Sequence, residues 1–148
     1  MKRNLADCFF EKAAAQPHHP LILGQEAENK TSYGEFRDQV QALAKALKEA
    51  GVGSGDNLGL LYPSGHDYIA FVYAIWACGA SVTPIPAEMT APEKRQIFQF
   101  IHIDAVISST RFFDQIRDCV APGAASLTQH AVYARVAATC EAPPELPI

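Results

Sequence analysis

The segment that most restricts the fold covers residues 66–86, where a helical pattern passes into a strand pattern within three residues. Residues 66–78 are apolar on nearly every side, which is typical of a helix buried in a layered domain. Residues 81–85 form a short β-branched run that two prolines close. The spacing predicts a buried helix that turns directly into a strand.

The same alternation of strand and helix patterns recurs along the chain. Residues 57–62 and 104–109 have strand patterns, and 126–136 has room for one more strand. Helix patterns separate them, with residues 110–120 forming the last one. This order predicts right-handed βαβ crossovers, and therefore a layered α/β fold with a largely parallel sheet flanked by helices.

Local end signals support three of the helices. Asn4 is placed to cap a helix over residues 4–15. Ser32 and Glu35 have the spacing of a capping box, an apolar stripe follows them, and Gly51 stands where a left-handed helix end is expected. Thr90 and Glu93 repeat the capping-box spacing. Before the Ser32 helix, residues 20–24 and 29–33 are expected to pair as a hairpin.

Length and composition limit the class of protein. The 148 residues, 49% apolar and 19% charged, are enough for one folded domain, which we expect over residues 1–140, with 141–148 as a linker or truncated end. A net charge of −4 with scattered basic residues disfavours nucleic-acid partners. The longest apolar run is too short to span a membrane. The four cysteines are widely spaced, which favours reduced thiols in a cytoplasmic protein over a zinc site.

Several motifs resemble functional sites but have simpler explanations. The glycines of residues 51–56 follow a helix and precede a strand, which is the reverse of a dinucleotide fingerprint, so a helix end and a turn account for them. His18 and His19 are neighbours between prolines and are expected in a solvated loop. Ser64 lacks the glycine frame of a nucleophile elbow.

The remaining polar candidates stand at the borders of predicted elements. His102 and Asp104 have residue types suited to a base and its orienting partner, but a structural role at a helix end and strand start is expected. Glu88 and Glu93 flank a helix start, where the helix dipole favours carboxylates. No set of residues supplies a nucleophile, a base and an oxyanion site together, so we assign no catalytic, cofactor-binding or metal-binding residue.

Two longer segments resemble the N-terminal part of the adenylate-forming enzymes, a superfamily of acyl-CoA synthetases, peptide-synthetase adenylation domains and luciferases. Residues 30–61 are similar to the opening core motif, with a long helix that ends in a Gly-Val-x-x-Gly-Asp turn. Residues 74–93 are similar to the second, in which Cys-Gly-Ala leads into a proline-closed strand. The resemblance covers roughly residues 4–110. It implies that Gly79 and Ala80 turn the buried helix into a central strand, as part of an incomplete N-terminal subdomain.

The resemblance also implies a function for a longer parent protein. Such a protein would activate a carboxylic acid with ATP and Mg²⁺ to an acyl-adenylate, then transfer the acyl group to a thiol of coenzyme A or of a carrier protein's phosphopantetheine arm. The family's Lys-terminated glycine-rich phosphate loop is missing from residues 111–148. We therefore expect the chain to be inactive alone, with no cofactor of its own.

The resemblance leaves the acid substrate, the thiol acceptor and the oligomeric state open. The turns at the strand ends offer five residues for a nucleotide site, with one cation among them: Ser64, Gly65, Ser108, Ser109 and Arg111. The expected partners are the remainder of the parent enzyme and, through an exposed apolar face, a second copy. Two alternatives are a free-standing α/β interaction module and a small nucleotide-binding protein of flavodoxin-like form.

Overall fold

A computed structural model describes residues 4–24 and 30–137. The chain divides into two compact units: the first comprises the chain up to Gly53 together with Ser64–Gly79, and the second comprises Ser54–Pro63 and the chain from Ala80 onward. Helices and strands alternate along the sequence, so the α/β class is confirmed.

The first unit is mainly helical. Its elements are, in chain order, α1 (Leu5–Ala15), β1 (Pro20–Leu23), β2 (Lys30–Ser32), α2 (Tyr33–Glu49) and α3 (His66–Ala77). β1 and β2 pair antiparallel, as the hairpin prediction requires. The three helices contact one another through buried side chains, among them Phe9 of α1, Phe36 of α2 and Phe71 of α3.

The predicted helix ends are found where the sequence places them. The Asn4 side chain accepts a hydrogen bond from the Asp7 N–H, and the Asp7 carboxylate accepts one from the Asn4 N–H. Ser32 accepts from the Glu35 N–H at 3.1 Å. At the other end of α2, Gly51 has a φ of 104°, and the N–H groups of Gly51 and Val52 bond back to the last turn. The glycine therefore ends a helix rather than holding a phosphate.

Helix α3 is buried on one side only. Phe71 is 1% exposed, and Ala70, Ala74 and Ile75 are also buried, but Ile69 on the other side is 42% exposed. The sequence predicted burial on nearly every side of this helix, and the structure confirms burial for one face.

The second unit is a five-stranded mixed sheet with helical segments. Its elements are β3 (Asn57–Leu61), β4 (Ser81–Pro84), α4 (Ala91–Phe100), β5 (Ala105–Ser109), a 3₁₀ helix (Phe113–Cys119), β6 (Ala125–Thr128) and β7 (Ala131–Arg135). The strand order is β4-β3-β5-β7-β6. β3 pairs in parallel with β4 and β5, whereas β7 pairs antiparallel with β5 and β6.

Three sequence expectations need correction. β4 is an edge strand, not a central one, and its burial is only partial. Residues 126–136 hold a β-hairpin, not a single strand, because the Thr128–Ala131 region turns the chain back. Within residues 110–120 the chain forms a seven-residue 3₁₀ helix, Phe113–Cys119, not an α-helix. The proposed linker over residues 141–148 lies outside the described residues.

The core of the second unit lies between the sheet and its helical segments. α4 and the 3₁₀ helix contribute Phe98, Phe113 and Ile116, which form one buried cluster with Leu61 of β3 and Val106 of β5. All five residues of β5 are buried, which fits its position in the middle of the sheet.

Candidate functional site

The carboxyl ends of the parallel strands are the place where α/β sheets bind ligands. After β5 the chain turns at Thr110, whose N–H donates to the His130 carbonyl at 2.9 Å. Arg111 follows and is exposed, with its guanidinium carbon 5.3 Å from the centre of the Phe112 ring. This turn presents one cation to solvent.

The two serines expected in this turn lie inside the strand instead. Ser108 is fully buried, and its hydroxyl donates to the Ser109 carbonyl at 2.9 Å. Ser109 is 5% exposed, and its hydroxyl has no hydrogen-bond partner among the described residues. Neither hydroxyl lies on the solvent-exposed turn, which corrects the expectation that both would be offered at the strand end.

Lys94 of α4 is a second cation close to this turn, and the sequence reasoning missed it. Its ammonium donates to the side-chain oxygen of Gln115 and lies 4.5 Å from the centre of the same Phe112 ring. Burial lowers the pKa of the Lys94 ammonium, and the Glu88 carboxylate opposes that shift. Because Lys94 is fully buried, it is held inside the unit and is not presented to a ligand. The sequence carries one signal of this burial, because Lys94 stands four residues before the core residue Phe98.

In the first unit, the candidates Ser64 and Gly65 are exposed immediately before α3. Gly65 caps the helix with a φ of 150° and supplies no side-chain hydrogen bond. The next residue, His66, contacts the side chain of Gln39, which also donates to the Asp67 carboxylate at 3.1 Å. Asp67 already places a negative charge at this helix start, which disfavours a phosphate there.

The structure brings His102 and Asp104 into contact at the amino ends of the parallel strands, where β5 begins. His102 Nε2 lies 2.9 Å from one Asp104 carboxylate oxygen, and the Asn57 N–H donates to the other at 2.8 Å. The Asn57 bond is the main reason that the pKa of the Asp104 carboxyl lies below its usual value. Serine, cysteine and lysine are not among the residues that line the adjoining pocket, so this pair has no nucleophile beside it in the described part of the chain.

Among the other candidate residues, Glu93 and His19 make local contacts, and His18 and Glu88 are exposed to solvent. Glu93 completes the α4 capping box with Thr90, and the backbone hydrogen bond from Thr90 lowers the pKa of its carboxyl. His19 lies edge-on to the Tyr33 ring at 6.1 Å between ring centres, and both His18 and Glu88 are exposed.

These groups do not make a triphosphate site. A site for ATP phosphates needs convergent N–H donors or several cations. The described strand ends offer one exposed cation, Arg111, and no glycine-rich cradle. Within the described ranges, no group of three or more His, Cys, Asp or Glu side chains is suited to a metal ion, and no helix is long and apolar enough to cross a membrane.

The chain is similar in sequence to one family of known enzymes. The family model described as AMP-binding enzyme matches residues 9–145. Phenyloxazoline synthase MbtB of Mycolicibacterium paratuberculosis is 35% identical over 95 residues, which are 64% of this chain and 8% of that protein. A CoA ligase of Gibberella moniliformis is 32% identical over 87 residues, which are 59% of this chain and 14% of that protein. The chain therefore spans a small part of the curated relatives it matches.

Solved structures show the same fold at low sequence identity. The N-terminal domain of FACL13 from Mycobacterium tuberculosis superposes with a TM-score of 0.70 at 20% identity, over 80% of this chain and 30% of that one. The N-terminal subdomain of Klebsiella oxytoca NpsA gives a TM-score of 0.59 at 20% identity, over 64% of this chain and 24% of that one.

Proposed function

Because this chain belongs to the AMP-binding enzyme family, we propose that it forms the opening part of a cytoplasmic ligase that activates a carboxylic acid with ATP. The carboxylate attacks the α-phosphorus of ATP, pyrophosphate leaves, and an acyl-adenylate results. A thiol then attacks the acyl carbon and AMP leaves. The activation is needed because a carboxylate is a poor acyl donor until a better leaving group replaces its oxygen.

The match of the family model over residues 9–145 is the observation that carries this proposal. The two motif segments follow each other along the chain: residues 30–61 run through α2 into β3, and 74–93 run from α3 through β4 to α4. In the proposed enzyme these strands form a wall beside the nucleotide and acyl clefts.

The catalytic groups are proposed to come from the rest of the parent protein. The described strand ends carry Arg111 as their exposed cation, which is too little for tight binding of a triphosphate. ATP, Mg²⁺ and the thiol carrier are therefore assigned to the parent. The relatives include a CoA ligase, which favours coenzyme A as the acceptor. A carrier-protein arm is the alternative acceptor that the assay should include.

The remainder of the parent is also the proposed partner for exposed apolar side chains. Leu5, Leu23, Ile69, Phe100 and Ile101 are each more than 40% exposed. Large apolar side chains in contact with water favour association. Without the remainder of the parent, we expect the 148-residue chain to self-associate. Sedimentation velocity at increasing protein concentration would detect this association.

The experiment that tests the proposed function compares this chain with the proposed longer parent protein. Both are assayed for ATP–pyrophosphate exchange with a panel of carboxylic acids. The longer protein is expected to exchange pyrophosphate in the presence of its acid, and the 148-residue chain is expected to show none. Exchange by the short chain, or no exchange by the long protein with any acid, would contradict the proposal.

A further inference from the structure

The first unit contains an open groove of about 550 Å³ between α1, α2 and the end of α3. We call it the α1–α2 groove. Phe10, Ala44 and Ala77 form its floor, and most of its surface is apolar. Phe10 and Ala77 are half-buried, so a molecule in the groove can contact them from the solvent side. The volume lies within the range of small-molecule sites, about 300–1,000 Å³.

The polar side chains that line the groove all come from α2, and all are exposed: Gln41, Lys45, Lys48 and Glu49. Their distance from the floor follows from the helix period. Measured around the helix axis, Lys48 stands about 40° from Ala44 and Glu49 about 140° from it. Lys45 lies between these two positions. An ammonium is therefore next to the apolar floor, and the carboxylate of the groove is the charged group farthest from it.

A contact at the end of α3 independently places the Lys48 charge near the floor. The buried Cys78 thiol donates to the Ala44 carbonyl at 3.6 Å. Burial raises the pKa of the Cys78 thiol, and the positive charge of Lys48 opposes that shift through space. The ammonium therefore lies on the side of α2 that faces the end of α3.

Both ammonium groups of the groove have capacity for a ligand. In the described ranges, neither Lys45 nor Lys48 forms an ion pair within 4 Å, and Glu49 forms none with either lysine. A lysine ammonium carries three donors and accepts none, so it favours an anionic partner.

We propose that the α1–α2 groove binds a small amphiphile that carries one anionic group. The apolar body packs on Phe10, Ala44 and Ala77, and the anionic group lies beside Lys48. A cationic ligand is disfavoured because the ammonium nearest the floor repels it. A polyanion is disfavoured because its further charges would extend towards Glu49.

The test is a titration of the ¹⁵N-labelled 148-residue chain with 4-phenylbutyrate, followed by amide chemical shifts. Saturable shifts are expected at residues 8–12, 41–49 and 76–78, with a dissociation constant on the order of 1 mM for a ligand of this size. 4-Phenylbutyramide has the same body and no charge, so it is expected to bind about fivefold more weakly. Added salt is expected to reduce that difference, because it screens exposed charges.

Three substitutions on exposed positions test the direction of each charge. Lys48→Gln is expected to weaken phenylbutyrate binding about fivefold and to leave binding of the amide unchanged. Glu49→Gln removes a repelling charge and is expected to leave phenylbutyrate binding equal or tighter. Lys30→Gln removes an exposed lysine of the same unit outside the groove, and it is expected to change nothing.

The proposal is overturned if phenylbutyrate produces no saturable shifts, if the shifts cluster elsewhere, or if the amide binds equally. It is also overturned if Lys48→Gln behaves like Lys30→Gln, or if Glu49→Gln weakens binding as Lys48→Gln does. Shift mapping on the unmodified chain decides the location even where a variant fails to fold. The inference does not rest on acid activation by the parent protein, and its test uses no ATP.

Discussion

Replacing Asp104 by alanine is expected to destabilise the second unit by about 2–3 kcal/mol. The carboxylate accepts the part-buried Asn57 N–H at 2.8 Å, and a hydrogen bond to a charged group contributes about 1.5–3 kcal/mol. Its second contact, to His102 at 2.9 Å, is largely exposed and adds at most about 1 kcal/mol. Asp104→Asn retains a neutral acceptor, so the expected loss is about 1 kcal/mol.

The pH dependence of this difference follows from the lowered pKa of the Asp104 carboxyl. The folded state favours the ionised form, so the stabilisation is present above the unfolded pKa of about 3.9 and is lost as pH falls through the lower folded value. The backbone hydrogen bond is the largest cause of the shift. The difference between the unmodified chain and Asp104→Ala should therefore persist from pH 5.5 to pH 8.

The assay is urea unfolding followed by far-ultraviolet circular dichroism. Tryptophan fluorescence is unsuitable because Trp76 belongs to the first unit and Asp104 to the second. Asp118→Ala removes an 81%-exposed carboxylate paired with Arg95 and should change the free energy of unfolding by less than about 0.5 kcal/mol. A loss below that value for Asp104→Ala at pH 7 would refute the reasoning. A loss seen at pH 5.5 and absent at pH 8 would show that the backbone hydrogen bond is not the main source of the stabilisation.

Three further substitutions test the packing by the same unfolding measurement. Lys94→Met should leave the chain equally stable or up to about 2 kcal/mol more stable at pH 7, because it removes a desolvated ammonium while the exposed Gln115 returns to water. A loss above about 0.5 kcal/mol would contradict this. Phe71→Asp should cost at least about 4 kcal/mol, since it places an unpaired charge at a 1%-exposed position, and an unchanged midpoint would exclude that burial. Gly55→Ala should cost about 1–2 kcal/mol through its φ of 89° alone, because no atom lies within 4 Å of the added methyl group; a neutral result would show that the turn relaxes.

The elements and their ends could be predicted because short-range interactions determine them. The caps at Asn4, Ser32 and Thr90 each involve a partner three residues away, and Gly51 ends α2 through bonds to its own last turn. Such contacts are local in sequence, so residue type and spacing are sufficient to recognise them. The alternation of these elements also indicated the α/β class.

The candidate site was less predictable, because its residues come together through the sheet. The sequence pointed to His102 and Asp104 as possible partners, but the contact of Asp104 with Asn57 joins residues 47 positions apart. The burial of Lys94 depends on Phe112 and Gln115 from another element. The two serines were expected to be offered at the end of β5, and their removal from solvent depends on the strands beside it.

The amino-acid sequence by itself determined the order of helices and strands as far as β5, their caps and the family resemblance, since each rests on periodicity or on contacts within a few residues. Only the tertiary structure decided that β4 lies at the edge of the sheet, that residues 126–136 fold back as a hairpin and that Arg135 joins His102 and Asp104 in one pocket. Strand order and side-chain clusters depend on pairings between distant segments, and local sequence patterns are compatible with several such pairings.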